Sequence, residues 1–334
     1  MTQETKIVVT NRLHDEVKAR LEEHGEVDMN PSVEPWSAQE LGARLQSASA
    51  MMGFMTDSVD EAMLRHAPEL KIIACALKGY DSFDVPACSE QGVWVSIVPD
   101  LLTAPTAELA LGLAISLARH VRAGDALIRS GAFKGWRSQL FGTGLAGSTV
   151  AVIGLGMVGG AIVDRLAGFG CGKILGVDPQ AKHPRAQPTT LSKALRDADF
   201  VFVAAPLTGS SRHLLSTPEL AQSKAGQFII NVGRGSVVDE LALIHALQSG
   251  RIGGYAADVF ECEDWALHDR PAAIAPELLA IANTLFTPHL GSAVSKVRLA
   301  IENRAADNII AVLEGRVPPD AINEPLALGE TAEL

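Results

Sequence analysis

Short apolar runs and longer amphipathic stretches alternate along almost the whole chain. The run Val150–Ile153 is apolar at every position, which is typical of a strand buried on both faces of a parallel sheet. Such runs alternating with helical patterns predict an α/β fold with helices on both faces of each sheet. The strands are predicted at Lys6–Thr10, Ala50–Phe54, Lys71–Cys75, Val93–Ile97, Thr149–Ile153, Ile174–Val177, Phe200–Ala205, Phe228–Asn231, Gly254–Asp258 and Thr284–Phe286.

The stretches between the strands repeat apolar residues every three or four positions, as helices packed on a sheet do. The sequence shows no internal repeat and no low-complexity linker. The predicted helices include Asp15–Glu23, Ala38–Leu45, Ala104–Arg129, Met157–Phe169, Glu240–Gln248 and Val294–Leu313.

Composition excludes several classes of protein. The chain has 28 Lys and Arg against 39 Asp and Glu, a net charge of −11, whereas a general nucleic-acid binder needs basic surface. Four scattered cysteines without a CxxC pair oppose a disulfide framework or a zinc site, so no metal is expected. Residues 1–5 lack the features of a signal peptide, and no apolar run reaches the ~20 residues that span a bilayer. We expect a cytoplasmic protein with no membrane association.

A glycine motif lies between a predicted strand and a predicted helix. Gly154, Gly156 and Gly159 form Gly-x-Gly-x-x-Gly, in which the glycines permit a tight turn, backbone approach to a pyrophosphate and close helix packing. Asp178 ends the next strand, 19 positions after the last glycine, where a carboxylate binds ribose hydroxyls. The motif predicts NAD rather than NADP. The alternative is a turn that serves packing alone, with Asp178 solvated.

Three further polar residues each follow an apolar strand: Arg234, Glu263 and His289. Ligands of open parallel sheets bind beyond the carboxyl ends of the strands, so the three side chains are expected to converge. Arginine offers planar donors to an anion, histidine exchanges protons near neutral pH, and a carboxylate orients its ring. Taken singly, each has an ordinary alternative, because a loop arginine is usually solvated and a lone histidine usually bonds to its surroundings.

Two changes of pattern predict the domain boundaries, near Pro99–Asp100 and near Gly291–Ser292. We expect two doubly wound parallel-sheet domains. Residues 1–101 and 294–334 are predicted to form a discontinuous, flavodoxin-like substrate domain, and residues 102–293 a Rossmann NAD-binding domain. The tail after Pro318 is expected to be loosely held.

Five motifs together resemble the NAD-dependent D-2-hydroxyacid dehydrogenase superfamily: residues 154–159, 206–208, 231–235, 258–263 and 287–292. The resemblance implies that Arg234 binds substrate and that Glu263 and His289 form the acid/base pair. It also implies a homodimer formed through the region of the long helix Ala104–Arg129. The cofactor contacts that it implies are Gly154, Gly156, Met157, Val158, Gly159, Asp178, Pro206, Thr106 and Asp258.

Within that superfamily the chain is similar to the phosphite (phosphonate) dehydrogenases, through residues 51–55, 75–81, 98–103, 133–136 and 255–265 and through Arg298. Lys78 carries most of this similarity, because ordinary 2-hydroxyacid dehydrogenases usually have a small or apolar residue before the glycine that binds the substrate carboxylate. A lysine suits phosphite, which is expected to be largely a dianion at neutral pH by analogy with phosphate. The implied substrate-binding residues are Lys78, Gly79, Met55, Arg298 and Trp136.

The similarity implies NAD-dependent oxidation of phosphite to phosphate, with phosphite as the small-molecule partner. Two alternatives stay open: an NAD-dependent reductase of a small 2-keto acid such as glyoxylate or pyruvate, and a non-catalytic NAD-sensing protein. Phe141 departs from the pattern, which has a tyrosine five positions after Trp136. Arg298 either contacts substrate or pairs with Glu263 or another acid. The sequence does not decide whether Trp136 acts across a dimer.

Overall fold

The structure is a computed structural model that describes residues 5–325. The chain ends used above, residues 1–4 and 326–334, lie outside the described residues. The described chain divides into two compact units. The first contains residues 5–102, 265–268 and 294–325, and the second contains residues 103–264 and 269–293. The sequence predicts the short segment 265–268 in the second domain, whereas the structure groups this segment with the first unit.

The first unit contains a five-stranded parallel sheet in the order β2-β1-β3-β4-β5, which is the flavodoxin-like order. Its strands are β1 (Lys6–Val9), β2 (Glu26–Met29), β3 (Ala50–Gly53), β4 (Ile72–Cys75) and β5 (Trp94–Ser96). Its helices are Asp15–Glu22, Ala38–Leu45, Glu61–Leu64, Val85–Glu90 and the C-terminal helix Ser295–Leu313.

Side chains of this sheet alternate between two apolar clusters, one on each face. Val8 and Met51 pack on one side with Leu41 and Leu45. Ile7, Val9, Ala50 and Met52 pack on the other side with Ile301, Ala305 and Ile309 of the C-terminal helix. The C-terminal helix is therefore part of the core of this unit.

The described part of the tail after Pro318, residues 319–325, is held by the edge strand β5, contrary to the expectation of a loose tail, and residues 326–334 lie outside the described residues. The Ile322 N–H donates to the Val95 carbonyl at 2.9 Å. Asn323 Oδ1 accepts the Val95 N–H at 2.7 Å. An edge strand leaves backbone groups unpaired, and this segment satisfies them.

The second unit contains a seven-stranded parallel sheet in the order β12-β11-β10-β9-β6-β7-β8, a Rossmann order with a seventh strand. Its strands are β6 (Thr149–Ile153), β7 (Lys173–Val177), β8 (Gln187–Pro188), β9 (Phe200–Val203), β10 (Gln227–Asn231), β11 (Ile252–Ala257) and β12 (Thr284–Phe286). Its helices are Thr103–Ala118, Val121–Arg129, Met157–Leu166, Leu191–Asp197, Thr217–Ala221, Glu240–Gln248 and Pro276–Ala280. Together the two sheets confirm the predicted fold class.

The predicted helix Ala104–Arg129 is wrong as a single element. His120 adopts a left-handed backbone conformation, with φ at +53°, and separates Thr103–Ala118 from Val121–Arg129. The first helix buries nine residues, whereas the second buries none. An α-helix cannot continue through a left-handed residue, and the apolar periodicity did not reveal that break.

Register in the second sheet brings the ends of its strands to one edge. Ile153 of β6 is in register with Val177 of β7 and Val203 of β9. Ala257 of β11 is likewise in register with Asn231 and Phe286 on its two sides. The loops that follow these strands therefore start side by side. In the described part of the chain, no helix is long and apolar enough to cross a membrane.

Candidate active site

The glycine turn follows β6 and is shaped by close packing. Gly154 has φ at +86°, and a Cβ there would lie 2.8 Å from backbone atoms of Ala204 and Ala205. A Cβ on Gly159 would lie 1.8 Å from the Gly154 carbonyl oxygen. A Cβ on Gly156 would meet nothing within 4 Å, so the space above this position is open. Two of the glycines thus serve packing, and the third leaves room for a ligand at a helix N-terminus.

Gly156 is the N-cap of the helix Met157–Leu166, and no side chain caps the first turn of that helix. Uncapped N–H groups at a helix N-terminus favour an anion. Met157 is about half exposed and Val158 is partly buried in the core below. The open backbone and the free donors fit the pyrophosphate of a dinucleotide.

Asp178 is fixed at the end of β7 by backbone donors. Its Oδ2 accepts the Leu155 N–H at 2.8 Å, and its Oδ1 accepts the N–H groups of Gln180 and Ala181 at 2.9 and 2.7 Å. Partial burial works to raise the pKa of Asp178, but these three hydrogen bonds outweigh it and lower the pKa. The carboxylate is therefore charged at neutral pH and pinned beside the glycine turn, which suits a ribose partner.

Pro206 and Thr106 differ in exposure. Pro206 is exposed in the loop after β9, where its carbonyl accepts the Ser211 hydroxyl at 2.6 Å. Thr106 is buried, and a Cβ on Gly291 would lie 3.0 Å from its Oγ1. Their predicted roles as cofactor contacts stay predictions.

Asp258 ends β11 and organises the loop that carries His289. Its Oδ1 accepts the Thr287 hydroxyl at 2.6 Å and the Leu290 N–H at 2.7 Å, and its Oδ2 accepts the Gly291 N–H at 2.8 Å. The Asp258 carbonyl also accepts the His289 N–H at 2.9 Å. Burial raises the pKa of this carboxyl, against these donors. Both carboxylate oxygens of Asp258 are thus engaged by the loop, and its predicted role as a cofactor contact stays a prediction.

His289 and Glu263 form a hydrogen-bonded pair. Glu263 Oε2 lies 2.9 Å from His289 Nδ1, and each side chain is a little over one quarter exposed. Glu263 Oε1 accepts the Phe260 N–H at 2.7 Å, which fixes the carboxylate. A carboxylate accepts hydrogen bonds, so His289 Nδ1 carries the proton and Nε2 is the nitrogen left for a reacting group.

Arg234 follows β10 in a loop built by its neighbours. Asn231 is fully buried, donates from Nδ2 to the Arg234 carbonyl at 2.9 Å, and accepts the Gly233 N–H at 3.1 Å. A Cβ on Gly235 would lie 1.9 Å from the Phe260 carbonyl carbon. The arginine loop therefore packs directly against the segment that leads to Glu263.

These contacts bring the segments of Arg234, Glu263 and His289 together at the carboxyl ends of neighbouring strands. The Ser236 N–H also donates to Asp264 Oδ2 at 2.6 Å and joins the arginine loop to the glutamate turn. The segments meet because the strands end in register, whereas the convergence of the Arg234 side chain on the Glu263–His289 pair stays a prediction.

The first unit holds four of the other predicted substrate residues, namely Lys78, Gly79, Met55 and Arg298. Lys78 and Gly79 follow β4 and are partly buried. Burial lowers the pKa of Lys78, and the charge of Asp100 opposes this shift. Among residues 5–325, no carboxylate lies within 4.0 Å of the Lys78 ammonium group. A partly buried ammonium without an ion pair in the described chain is suited to an incoming anion.

Arg298 lies on the C-terminal helix with its guanidinium 5.8 Å from the ring centroid of Phe54. Burial lowers the pKa of Arg298, and the charge of Glu302 opposes this. Met55 follows Phe54 and is partly buried. Phe54 therefore lies against the arginine at the carboxyl end of β3, and Met55 begins the turn that follows.

The turn after β3 depends on a residue that the sequence did not single out. Asp57 is buried and accepts the Phe54 N–H at 2.6 Å, and the Thr10 hydroxyl also donates to it. Burial raises the pKa of Asp57 to about 6, although both hydrogen bonds act to lower it. The only sequence signal was a polar residue shortly after an apolar strand.

Trp136 and Phe141 are the most exposed aromatic residues of the described chain, at 78% and 75%. They lie in a segment that contains neither helix nor strand. Their predicted roles stay predictions.

The chain is similar to known dehydrogenases along most of its length. Residues 111–291 match the family described as D-isomer specific 2-hydroxyacid dehydrogenase, NAD binding domain. Glyoxylate reductase of Thermococcus litoralis is 33% identical over 331 residues, covering 96% of this chain and 97% of the relative. Glyoxylate/hydroxypyruvate reductase B of Citrobacter koseri is 33% identical over 328 residues, covering 96% and 98%. The crystal structure of a Thermus thermophilus protein matches with a TM-score of 0.88 at 33% identity, covering 96% and 100%.

Proposed function

The chain belongs to the D-isomer specific 2-hydroxyacid dehydrogenase family, and from this premise we propose that it is an NAD-dependent oxidoreductase that oxidises phosphite to phosphate. The observation that carries the choice of substrate is Lys78, a partly buried ammonium at the end of β4. A compact dianion makes better use of a second cation than a monoanionic 2-hydroxy acid does.

NAD, when bound, supplies the hydride acceptor. The proposed reaction is phosphite + NAD⁺ + water → phosphate + NADH + H⁺. The P–H bond breaks with its electron pair, the oxygen of water forms a bond to phosphorus, and one proton is released. Hydride transfer oxidises phosphorus and reduces the cofactor, so the reaction needs no other oxidant.

The residues of the chain divide this work between binding and proton transfer. Arg234, Lys78 and the backbone of Gly79 bind the oxyanion and orient its P–H bond. His289 takes the proton of the attacking water at Nε2, while Glu263 stabilises the imidazolium through Nδ1. Met55, Trp136 and Arg298 are proposed to complete the substrate site.

The names of the relatives favour a second candidate, the reduction of glyoxylate or a similar 2-keto acid. Their support for it is broader than the support for phosphite, which rests on Lys78 and the motifs around it. In this reaction His289 gives a proton to the keto oxygen, and Arg234 binds the carboxylate.

One pair of assays separates the candidates. The purified protein is incubated with NAD and phosphite, and NADH absorbance and phosphate are followed together. In parallel, NADH oxidation is measured with glyoxylate. Equal yields of NADH and phosphate support phosphite oxidation. Turnover of glyoxylate alone overturns it in favour of the second candidate, and turnover of neither leaves the NAD-sensing alternative.

We also propose that the protein is a cytoplasmic homodimer. The helix Val121–Arg129 buries no residue, and the segment after it exposes Phe133, Trp136, Leu140 and Phe141. A short helix without buried contacts is marginal in water, which favours its cover by a second copy of the chain. All four cysteines are free thiols, which suits a reducing compartment.

A further inference from the structure

The turn that carries Glu263 holds a second carboxylate. Glu261 and Glu263 are the two ends of the 3-10 turn Glu261–Glu263. Glu263 pairs with His289, whereas Glu261 meets Glu240, the first residue of the helix Glu240–Gln248. The turn therefore connects the acid/base pair to the start of a buried helix.

Glu240 and Glu261 bind each other reciprocally through backbone and side chain. The Glu240 N–H donates to Glu261 Oε1 at 2.8 Å, and the Glu261 N–H donates to Glu240 Oε1 at 3.0 Å. Glu240 is only 5% exposed, so water cannot readily replace it as the acceptor for the Glu261 N–H. The pair fastens one end of the turn to the helix.

Several charged or titratable groups surround Glu240. Burial raises the pKa of Glu240 to about 7, against the hydrogen bond from Glu261, and the charges of Glu261, Asp264 and Glu263 add to the increase. Tyr255 of β11 also interacts electrostatically with Glu240. Because Glu240 and Glu263 interact through charge, the ionisation of Glu240 is felt at the acid/base pair.

His213 lies next to the carboxylates of Glu261 and Asp239. Its Nε2 lies 3.3 Å from Glu261 Oε1, and its Nδ1 lies 4.0 Å from Asp239 Oδ2. Its backbone is left-handed, with φ at +51°, and its N–H donates to the Ser236 carbonyl at 2.6 Å. His213 therefore lies between the arginine loop and the carboxylate of Glu261, and its buried Nε2 makes no hydrogen bond within the described residues.

We propose that Glu240 is a positioning residue for the Glu263–His289 pair. By holding Glu261, it fixes the turn and with it the direction from which Glu263 orients the imidazole of His289. This inference rests on the proposed acid/base role of that pair and applies to either candidate substrate.

The test compares Glu240→Ala with Glu240→Gln, which keeps an acceptor oxygen for the Glu261 N–H. Leu241→Ala is the matched control, because Leu241 is the next residue on the same helix and is 67% exposed. For each variant, kcat and the KM for NAD are measured. The ring nitrogen shifts of His289 are also measured by NMR with labelled histidine, because they report the hydrogen bond between Nδ1 and Glu263 and require no turnover.

We expect Glu240→Ala to lower kcat about tenfold or more with little change in the KM for NAD, because a displaced catalytic group is costly even when the ligands still bind. Glu240→Gln should restore kcat to within about twofold. The ring nitrogen shifts of His289 should stay at their wild-type values in Glu240→Gln, because the acceptor for the Glu261 N–H is kept. In Glu240→Ala they should move away from the wild-type values, because the hydrogen bond from Nδ1 to Glu263 loosens.

Ring nitrogen shifts of His289 that stay at the wild-type values in Glu240→Ala would overturn the proposal. So would equal losses of kcat in the two variants, which indicate a structural role alone. If Glu240→Ala does not fold, Glu240→Asp takes its place, because its carboxylate is one methylene shorter and withdraws from the Glu261 N–H. If the wild-type protein turns over neither phosphite nor glyoxylate, the proposed function fails, and the NMR result still decides the role of Glu240.

Discussion

Glu263 Oε2 lies 2.9 Å from His289 Nδ1 while Glu263 Oε1 is held by the Phe260 N–H. Both oxygens of the carboxylate therefore have fixed partners before any substrate binds. This arrangement settles which imidazole nitrogen carries a proton and leaves the other nitrogen for chemistry.

Replacing His289 by alanine should lower kcat about 10²- to 10⁴-fold, the usual contribution of a general acid or base. NAD affinity should change little, because the glycine turn is untouched. Steady-state kinetics and a fluorescence titration with NAD measure the two effects. Turnover at the wild-type rate would remove His289 from the mechanism.

Lys78→Ala should raise the KM for phosphite about 30-fold or more, the effect of losing a contact worth ~2 kcal/mol to a partly buried charge. Lys71→Ala, at an exposed lysine of the same unit, is the control. Burial lowers the pKa of Lys78, so its charge is lost at a lower pH than that of an exposed lysine, and phosphite binding should weaken in the alkaline range. Lys78→Arg should retain binding there, and equal alkaline weakening in that variant would contradict this account.

The glycines of the turn should respond differently to alanine. Gly159→Ala places a Cβ 1.8 Å from a carbonyl oxygen and should destabilise the protein by about 3 kcal/mol. Gly156→Ala meets open space, so the fold should persist while the Kd for NAD rises about tenfold or more. Thermal unfolding and NAD titration measure these effects. Equal stability losses in the two variants would show that the geometry of the turn is different.

Asp57 should make stability depend on pH. Its pKa is about 6 in the folded protein against 3.8 ordinarily, so folding stability falls as pH rises from about 4 to 6 and then levels off. Asparagine does not ionise, so the Asp57→Asn variant lacks this loss. As the pH rises through that window, the free energy of unfolding of the variant should increase by about 2–3 kcal/mol relative to that of the wild type. Urea unfolding at several pH values measures the difference. A difference that does not vary with pH would show that Asp57 ionises as an exposed aspartate does.

The exposed helix Val121–Arg129 predicts the oligomeric state. Ile128→Asp places a charge on its apolar face, 55% exposed in one chain, and should convert a dimer to monomers. Light scattering after size-exclusion chromatography measures the mass, with Leu241→Asp as the control. A wild-type protein that is already monomeric would refute the proposed dimer.

The sequence revealed features that short segments encode. Val150–Ile153 is apolar throughout because β6 is covered on both faces, and its strand type was predictable from that run alone. The glycine turn, Arg234 and His289 each follow such an apolar run, so their positions at strand ends were also predictable. Parallel strands end at one edge, so residues far apart in sequence meet there.

Features that depend on distant packing were not predictable. Glu240 follows an N-cap aspartate and resembles an ordinary first-turn acid, which is usually exposed, yet it is buried against Glu261. The strand Glu26–Met29 was missed because it lies at a sheet edge, where its side chains stay partly exposed. No local pattern marked the left-handed residue His120 either, because the apolar spacing continues past it.

The carboxylate of Asp258 accepts hydrogen bonds from Thr287, Leu290 and Gly291. The backbone carbonyl of Asp258 accepts one from the His289 N–H. The shape of that loop is thus specified from the neighbouring strand rather than from its own residues. Anyone grafting the histidine loop onto a different scaffold would have to transplant this aspartate with it, because the acceptors that fix the conformation of the loop lie outside the loop.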